Sequence, residues 1–274
     1  MQSVSQTARW VAAQRERESA RSDRLFLDTL AGHLAGEEGR AALRISEQFN
    51  PRHKSTADYI ATRTRFLDEF VIQGNKKGTR QVVIVAAGMD ARAYRLPWQD
   101  GTALYEIDYP ELLDLKERIL KQQDKVSQCH RITLGTNLEG EWGDMLVGAG
   151  FQTDQASLWL IEGLLYYLHE APVDGILRQV TKLAAPGSQL AADLVSQSCL
   201  TSPWMKEALE AMKKNGMGWY FGSDDPSSLF ARHGWEAEIK NPNVEAAKYD
   251  PERFPMPANP QVQLPPMFFV IASR

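Results

Sequence analysis

Cysteine is nearly missing from this chain, and so are long apolar runs. Only Cys129 and Cys199 occur in 274 residues, far apart and without the spacing of metal ligands. Two isolated thiols argue against a disulfide framework and favour a reducing compartment. No apolar run approaches the roughly 20 residues that span a bilayer, and residues 1–10 lack the apolar run of a signal peptide. We therefore expect a cytoplasmic protein with no metal site and no membrane partner.

An excess of positive charge is missing as well. The 31 Lys and Arg residues are outnumbered by 35 Asp and Glu residues, for a formal net charge of −4, and the two signs are interspersed. Without a basic field, the composition argues against a nucleic-acid partner. With 43% hydrophobic and 24% charged residues, the composition is ordinary for a globular protein, and the length suits one elaborated α/β domain. Nothing in the sequence indicates the oligomeric state.

The order of the apolar patterns predicts a helical first part followed by alternating strands and helices. Helices are expected over residues 7–20, 24–34 and 57–72, followed by a polar, glycine-containing linker over 73–78. Short β-branched and apolar runs then predict strands at 81–87, 103–107, 131–134, 158–161 and 189–195, with helices from Pro110 and over 173–184. Further helices are expected over 203–214 and 226–233, and closing strands over 235–240 and 267–272. This alternation predicts a doubly wound parallel sheet that binds ligands at the carboxyl ends of its strands.

A turn of small residues follows the first expected strand, in the run Val85-Ala-Ala-Gly-Met-Asp90. A dinucleotide fingerprint needs three glycines spaced G-x-G-x-x-G, and only Gly88 is present, which argues against a nicotinamide cofactor. Asp108 follows 20 residues later, at the end of the second strand, where a carboxylate can accept from both ribose hydroxyls of an adenosine. A tight turn and a helix-flanking acid explain the two residues about as well on their own. The spacing favours an adenosyl ligand.

One arginine falls on the apolar face of a predicted helix. Projected at about 100° per residue, Arg63 lies among the apolar side chains of the helix over 57–72, whereas Arg65 lies on the opposite face. A buried guanidinium must be paired or face a ligand, and it can hold a carboxylate by two parallel N–H bonds. The residues leave three readings open: a clamp for the methionine carboxylate of an adenosyl cofactor, an internal ion pair, or a stem that reaches solvent.

The segment Gln81–Leu96 resembles the leucine carboxyl methyltransferase family, especially its bacterial branch with polyketide O-methyltransferases, whose usual spelling is G-A-G-x-D-T-R-x-Y-R-L. Other matching stretches, in the same order along essentially the whole chain, are residues 7–18, 62–64, 106–110, 162–168, 221–222 and 234–235. The resemblance implies a class I methyltransferase, with a Rossmann-like doubly wound α/β sheet that is mostly parallel and has a reversed last strand. It also implies one domain over 1–274, divided into an N-terminal helical cap (1–75), a cofactor-binding core (76–195), a lid insertion (196–233) and closing strands (234–274).

The resemblance also implies a cofactor, S-adenosyl-L-methionine, with S-adenosyl-L-homocysteine as product. Carried over position by position, Arg63 would clamp the methionine carboxylate, Glu162 would lie near its amino group, and Asp108 would hold the ribose. The remaining cofactor-binding positions are Ala87, Gly88 and Asp90 in the turn and Asn137 and Leu138 beside the adenine.

Three positions differ from the usual motif of the family. Ala86 and Ala91 stand in place of the usual Gly and Thr, and both are small enough for the turn to survive. Asn137 stands in place of Asp, and its amide oxygen can still accept a hydrogen bond from the adenine amino group. We therefore expect an active enzyme, with a cofactor-binding, non-catalytic paralogue as the alternative.

The motif resembles that of the bacterial branch of the family, which implies that the methyl acceptor is a small molecule. A carboxylate, with a reference pKa near 4, needs no base, whereas a phenol near 10 benefits from one. No residue stands out as a base, so no catalytic residue is assigned and a carboxylate is favoured over a phenolic hydroxyl. A protein C-terminal carboxylate, as in the eukaryotic branch, is a further alternative.

The acceptor side offers only weak candidates. Tyr167 matches a tyrosine of the family motif and either orients the acceptor or packs in the core, and Arg15 either meets an anionic substrate or is solvated. His169 follows the same motif as Tyr167, at a helix start. Large apolar residues of the expected lid either line an acceptor pocket or simply pack there: Trp204, Met205, Met212, Met217, Trp219, Tyr220 and Phe221.

Overall fold

Seven strands form one sheet in the part of the chain that the computed structural model describes, namely residues 2–49, 53–203, 205–214, 216–256 and 267–274. They are β1 (Gln81–Val85), β2 (Ala103–Asp108), β3 (His130–Gly135), β4 (Ser157–Ile161), β5 (Gln189–Val195), β6 (Glu236–Lys240) and β7 (Met267–Ser273). Their order across the sheet is β3-β2-β1-β4-β5-β7-β6. β7 pairs antiparallel with both of its neighbours and the other four pairings are parallel, so the mostly parallel sheet with a reversed last strand is confirmed.

Helices lie before and between these strands. They are α1 (Gln2–Ser19), α2 (Ala31–Phe49, kinked at Gly36), α3 (His53–Lys76), α4 (Arg92–Arg95), α5 (Pro110–Lys121), α6 (Gly143–Gly148), α7 (Glu170–Leu183), α8 (Gln197–Thr201), α9 (Lys206–Lys214), α10 (Pro226–Ala231) and α11 (Pro242–Tyr249), with a 3₁₀ turn over Leu165–Tyr167. Proline opens α5, α10 and α11, at a position where its missing N–H costs no helical hydrogen bond.

Strands β1 and β4, in the middle of the sheet, are buried along their whole length because helices cover both faces of the sheet. Alternate residues of β1 face opposite sides. Val83 packs in the cluster that contains Leu177 of α7, whereas Val82 packs in the cluster that contains Leu67 of α3. The helical N-terminus is confirmed, and no helix within the described ranges is long and apolar enough to cross a membrane.

The helix predicted over 24–34 is wrong. Residues 21–30 form turns and irregular backbone, and α2 begins only at Ala31. Side chains take the backbone donors of this segment: Glu18 accepts from the Leu25 amide at 2.8 Å, and Ser19 accepts from the Asp28 amide at 2.9 Å. Such local bonds compete with helical ones, and the leucines of this stretch pack without helical periodicity.

Other helix boundaries also differ from the expectation. Helix α3 continues to Lys76, through most of the polar stretch predicted to be a linker, and α9 begins at Lys206 rather than at residue 203. Trp204, one of the predicted lid residues, lies outside the described residues.

The strand register places the ends of three strands side by side. Val85 at the end of β1 pairs with Ile107 of β2 on one side and with Ile161 of β4 on the other. The residues that follow these strands therefore share one edge of the sheet, as expected for a ligand site in a doubly wound fold.

Candidate cofactor site

The turn after β1 is left-handed at two positions. Ala86 has φ of 60° and Gly88 has φ of 48°. A Cβ atom at Gly88 would lie 3.3 Å from the Cβ of Ala8 in α1, tight contact in addition to the strained backbone. The Ala87 amide donates to the Ile107 carbonyl at 3.1 Å, and the Asp90 amide donates to the Ala87 carbonyl at 2.8 Å. The turn predicted to survive the replacement of glycine by Ala86 does survive, with an alanine in a conformation that favours glycine.

Asp108 ends β2 directly beside this turn. One carboxylate oxygen accepts from the Gly88 amide and the other from the Tyr109 amide, both at 2.7 Å. Burial raises the pKa of Asp108, against the opposing effect of these two N–H groups and of Lys116. Each oxygen keeps a further lone pair. The carboxylate can therefore hold the turn and still accept from two hydroxyl groups of a ligand.

Arg63, on α3, is 4% exposed and lies across the ends of β4 and β5. Its Nε donates to Glu162 Oε1 at 3.0 Å, and its Nη1 donates to Asp193 Oδ2 at 2.9 Å and to the Tyr166 hydroxyl at 3.2 Å. Within the described part of the chain, Nη2 donates no hydrogen bond. The guanidinium therefore forms an internal ion pair and still offers one edge to a further carboxylate.

The two arginines of α3 differ as their helix positions predicted. The side chain of Arg65 is 41% exposed and pairs with Glu69 one turn further along. Burial alone would lower the pKa of Arg63, but the Asp193 and Glu162 charges outweigh it and raise that pKa well above its ordinary value. Arg63 is thus a fixed positive charge inside the fold, and Arg65 is a surface charge.

Glu162, the first residue after β4, bridges two arginines. Its Oε1 accepts a hydrogen bond from Arg63 Nε, and its Oε2 lies 2.8 Å from Arg92 Nη1. Burial alone would raise the pKa of Glu162, but the Arg92 and Arg63 charges outweigh it and lower that pKa. The site therefore contains a carboxylate that stays ionised at neutral pH.

Asp90, the last residue of the turn, binds Arg92 through both carboxylate oxygens. Its Oδ1 accepts from the Arg92 amide at 2.6 Å, and its Oδ2 accepts from the Arg92 guanidinium. Burial alone would raise the pKa of Asp90, but the Arg92, Lys116 and Arg95 charges outweigh it and hold that pKa at about 2. Both oxygens thus face Arg92, which gives Asp90 a role in shaping the turn. Arg92 Nη2 is buried without a hydrogen-bond partner among the described residues, an open donor at this edge.

Asn137 and Leu138 follow β3, whose last residue, Gly135, pairs with Asp108. Asn137 is exposed, and its Oδ1 accepts from the Glu139 amide at 3.0 Å. Leu138 is buried in the core cluster of Trp142. The pair thus lies at the β2–β3 end of the site, with an exposed amide next to a buried apolar side chain.

The structure corrects the expectation for Arg15. It is buried rather than solvated, its Nε donates to Asp28 at 2.9 Å, and its Nη2 donates to the Met89 carbonyl in the turn after β1. These partners engage Nε and Nη2 of Arg15, and contact with an anionic substrate stays a prediction. Arg15 ties α1 to the cofactor-side turn.

Aromatic side chains gather after the end of β4, around Tyr166. The Tyr166 ring lies 4.8 Å from that of Tyr167 and 4.9 Å from that of Trp219, and the Tyr166 carbonyl accepts from the Tyr220 amide at 2.7 Å. Burial raises the pKa of Tyr167. His169 is exposed and packs on Tyr220, with ring centroids 4.5 Å apart. The predicted lid therefore contributes aromatic rings next to Tyr167.

Two carboxylates of the site were missed from the sequence. Asp193 lies in β5, fully buried, and Asp68 lies in α3, where it pairs with Arg92 and Arg95. A signal existed for Asp193, because a single acid interrupts the apolar run of a central strand. An acid in such a place must be paired.

Four features together define a class I S-adenosylmethionine-dependent methyltransferase. They are the sheet order, the reversed β7, the left-handed turn after β1 and Asp108 at the end of β2. The chain belongs to the leucine carboxyl methyltransferase family, whose model matches residues 8–181. The recognised resemblance is thereby confirmed.

Known proteins similar to this chain agree with that class. A protein of Parafrankia sp. is 34% identical over 278 residues, covering 99% of this chain and 87% of its own. A protein of Mycobacterium bovis is 37% identical over 263 residues, covering 90% and 85%. Both are provisionally named S-adenosyl-L-methionine-dependent methyltransferases. A solved structure from Thermobifida fusca, provisionally titled a methyltransferase, superposes with a TM-score of 0.59 over 97% of this chain and 94% of its own, at 16% identity, and supports the fold.

The cofactor of this class is S-adenosyl-L-methionine, and the described residues fit it. Gly88 forms the left-handed turn with no side chain beside Ala8 of α1, and Asp108, which accepts from the Gly88 amide, keeps lone pairs for hydroxyl groups. Arg63 Nη2 and Arg92 Nη2 are open cationic donors at the same edge of the sheet as the ionised Glu162. A zwitterionic amino acid joined to an adenosine matches this set of groups.

Proposed function

We propose that this enzyme methylates the carboxylate of a small molecule and releases a methyl ester. When bound, the cofactor supplies a methyl group on a sulfonium, which is already electrophilic. The chain then has to bind the acceptor, align it and exclude water. A carboxylate is ionised at neutral pH and attacks without losing a proton.

The observation that carries this proposal is that the buried acids and hydroxyls around Arg63 are already engaged. Glu162 is held between two arginines, and Asp193 accepts from four donors. Burial raises the pKa of Tyr59 and Tyr166 well above its ordinary value, so neither phenol supplies a phenolate. His169, the remaining candidate base near the motif, is exposed on the lid side. The described residues around Arg63 thus offer no free buried base, which suits an acceptor that arrives ionised.

The cofactor roles belong to the same proposal. Arg63 clamps the methionine carboxylate through its open edge, and Glu162 receives the amino group. Asp108 accepts from the ribose hydroxyls, and Asn137 with Leu138 borders the adenine. Ala87 and Gly88 supply the bare backbone of the turn, which Asp90 supports. Tyr167 borders the acceptor. We also propose a single domain with the division into helical cap, core, lid and closing strands that the sequence predicts. The proposed location of the protein is the cytoplasm.

The test uses S-adenosylmethionine that carries an isotopic label in its methyl group. Purified enzyme is incubated with matched sets of small carboxylic acids and phenols, and mass spectrometry identifies products that have gained one labelled methyl. Each product is then treated with mild alkali, which hydrolyses a methyl ester to methanol and leaves an aryl methyl ether intact. We expect alkali-labile label on a carboxylic acid.

The same assay separates the alternatives. Label that survives alkali identifies a phenolic acceptor and contradicts the proposal. Alkali-labile label found only in the protein fraction of an extract identifies a protein carboxylate instead. Cofactor binding with no transfer to any fraction of the producing cell's extract identifies a non-catalytic paralogue.

A further inference from the structure

Asp193 is the most fully engaged carboxylate beside the site. It lies in β5 with no exposed surface. Its Oδ1 accepts from the Gly163 amide at 2.6 Å, in the left-handed turn that follows β4 and Glu162. Its Oδ2 accepts from Arg63 Nη1 and from the Tyr59 hydroxyl, each at 2.9 Å, and from the Tyr166 hydroxyl at 3.4 Å.

This distribution of donors excludes two roles for Asp193. Both oxygens are occupied and neither is exposed, so the carboxylate is not available to contact a ligand or to take a proton from an acceptor. What its two oxygens connect is the guanidinium of Arg63 and the turn that carries Glu162. Both of these belong to the proposed binding site for the methionine part of the cofactor.

We propose that Asp193 is a positioning residue that sets the orientation of Arg63, so that the open Nη2 edge of the guanidinium faces the methionine carboxylate of the cofactor. Three contacts fix the guanidinium plane: Glu162 at Nε, and Asp193 and Tyr166 at Nη1. Because Nε and Nη1 of the planar guanidinium are engaged, only Nη2 can donate to a ligand. The inference rests on the assignment of Arg63 proposed above.

An asparagine at this position cannot serve both partners. With its amide oxygen toward Gly163, its NH₂ group meets the N–H groups of Arg63; with its oxygen toward Arg63, its NH₂ group meets the Gly163 amide. One donor is repelled in either orientation, and the charge that holds Arg63 is lost. Asp193→Asn should therefore disturb the clamp although its shape is conserved.

The experiment compares S-adenosylmethionine with decarboxylated S-adenosylmethionine, which retains the sulfonium and the amino group and lacks only the carboxylate. Calorimetric titration of Asp193→Asn should show S-adenosylmethionine weakened by at least about tenfold, the loss expected when a hydrogen bond to a charged group is removed. Binding of the decarboxylated cofactor should change by less than about threefold, within the range of a surface change. A positioning role predicts this difference between the ligands, whereas general damage to the fold weakens both.

A matched control is Glu106→Gln, which removes an equally buried acid with two cationic partners, Lys116 and Arg131, from β2. It should affect the two ligands alike. Asp193→Ser is the second variant, because its shorter hydroxyl side chain removes the charge and has no NH₂ group to repel Arg63; it should show the same selective loss. Circular dichroism and thermal unfolding establish that each variant is folded.

Arg63→Lys calibrates the measurement, since it keeps the charge and loses the fork. If Arg63→Lys weakens S-adenosylmethionine selectively while the folded Asp193 variants weaken both ligands equally or neither, the role of Asp193 is overturned and that of Arg63 stands. If Arg63→Lys also fails to distinguish the two ligands, both assignments are overturned.

Discussion

Glycine substitutions at two neighbouring alanines measure the backbone strain in the turn after β1. Ala86 has φ of 60°, and Ala87 is not among the described residues with a positive φ. A left-handed backbone costs a residue with a Cβ about 1–2 kcal/mol, which glycine relieves. Either substitution also removes a methyl group and adds freedom to the unfolded chain, together about 1–2 kcal/mol. The unfolded-chain part of these losses is the same at the two positions, and the methyl part is no larger at the partly buried Ala86 than at the buried Ala87, so equal losses in the two variants are not expected if Ala86 is strained.

Ala87→Gly should therefore be less stable than Ala86→Gly by about 1–2 kcal/mol, and Ala86→Gly should lie close to the parent protein. Urea unfolding followed by circular dichroism gives the free energy of unfolding of each variant, provided that the slopes with urea agree. In thermal unfolding the same difference corresponds to roughly 2–4 °C per kcal/mol for a chain of this size. Equal losses at the two positions would refute the argument that Ala86 is strained.

Three further predictions concern charges. Asp108→Ala should keep the fold and weaken S-adenosylhomocysteine by about 1.5–3 kcal/mol in calorimetry; unchanged affinity would leave Asp108 only as a helix-flanking residue. Arg63→Lys should weaken S-adenosylhomocysteine but not adenosine, whereas Arg65→Lys should change neither, because an exposed charge contributes little; a larger effect at Arg65 would contradict the assignment. Asp90, with a pKa lowered to about 2, stabilises the fold above its unfolded pKa near 4 and loses this contribution as pH falls through about 2. Asp90→Asn should therefore be less stable by about 2 kcal/mol at pH 7, with the deficit in urea unfolding shrinking only below pH 4; a deficit independent of pH would show that the charge is not its cause.

Much of the sheet could be predicted from the sequence because a buried parallel strand is a short, continuous apolar run. The limits predicted for the fifth strand, 189–195, are those of β5, and the prediction for β1 extends only two residues too far, into the turn at Ala86. The position of Arg63 could be predicted for a similar reason, since helical geometry alone decides which face a residue occupies.

The remaining parts of the site depend on contacts that no local pattern contains. Asp193 meets Arg63 across 130 positions of the sequence, and Arg15 meets the Met89 carbonyl across 74. The second pairing gives Arg15 a structural contact where the sequence offered only a substrate contact or a solvated side chain. The irregular segment over 21–30 has a different, local cause: its Leu25 and Asp28 amides donate to side chains of α1 that a propensity argument does not consider.

The central claim is that the carboxyl ends of β1, β2 and β4 bind S-adenosylmethionine with Arg63 as the clamp. A crystal structure of the complex with S-adenosylhomocysteine tests it most directly. The account predicts the ribose hydroxyls against the Asp108 carboxylate and the amino-acid carboxylate against the Nη2 edge of Arg63, with the Asp193 contact retained. A complex in which the ligand carboxylate lies elsewhere, with Arg63 bonded only to Glu162, Asp193 and Tyr166, would contradict it.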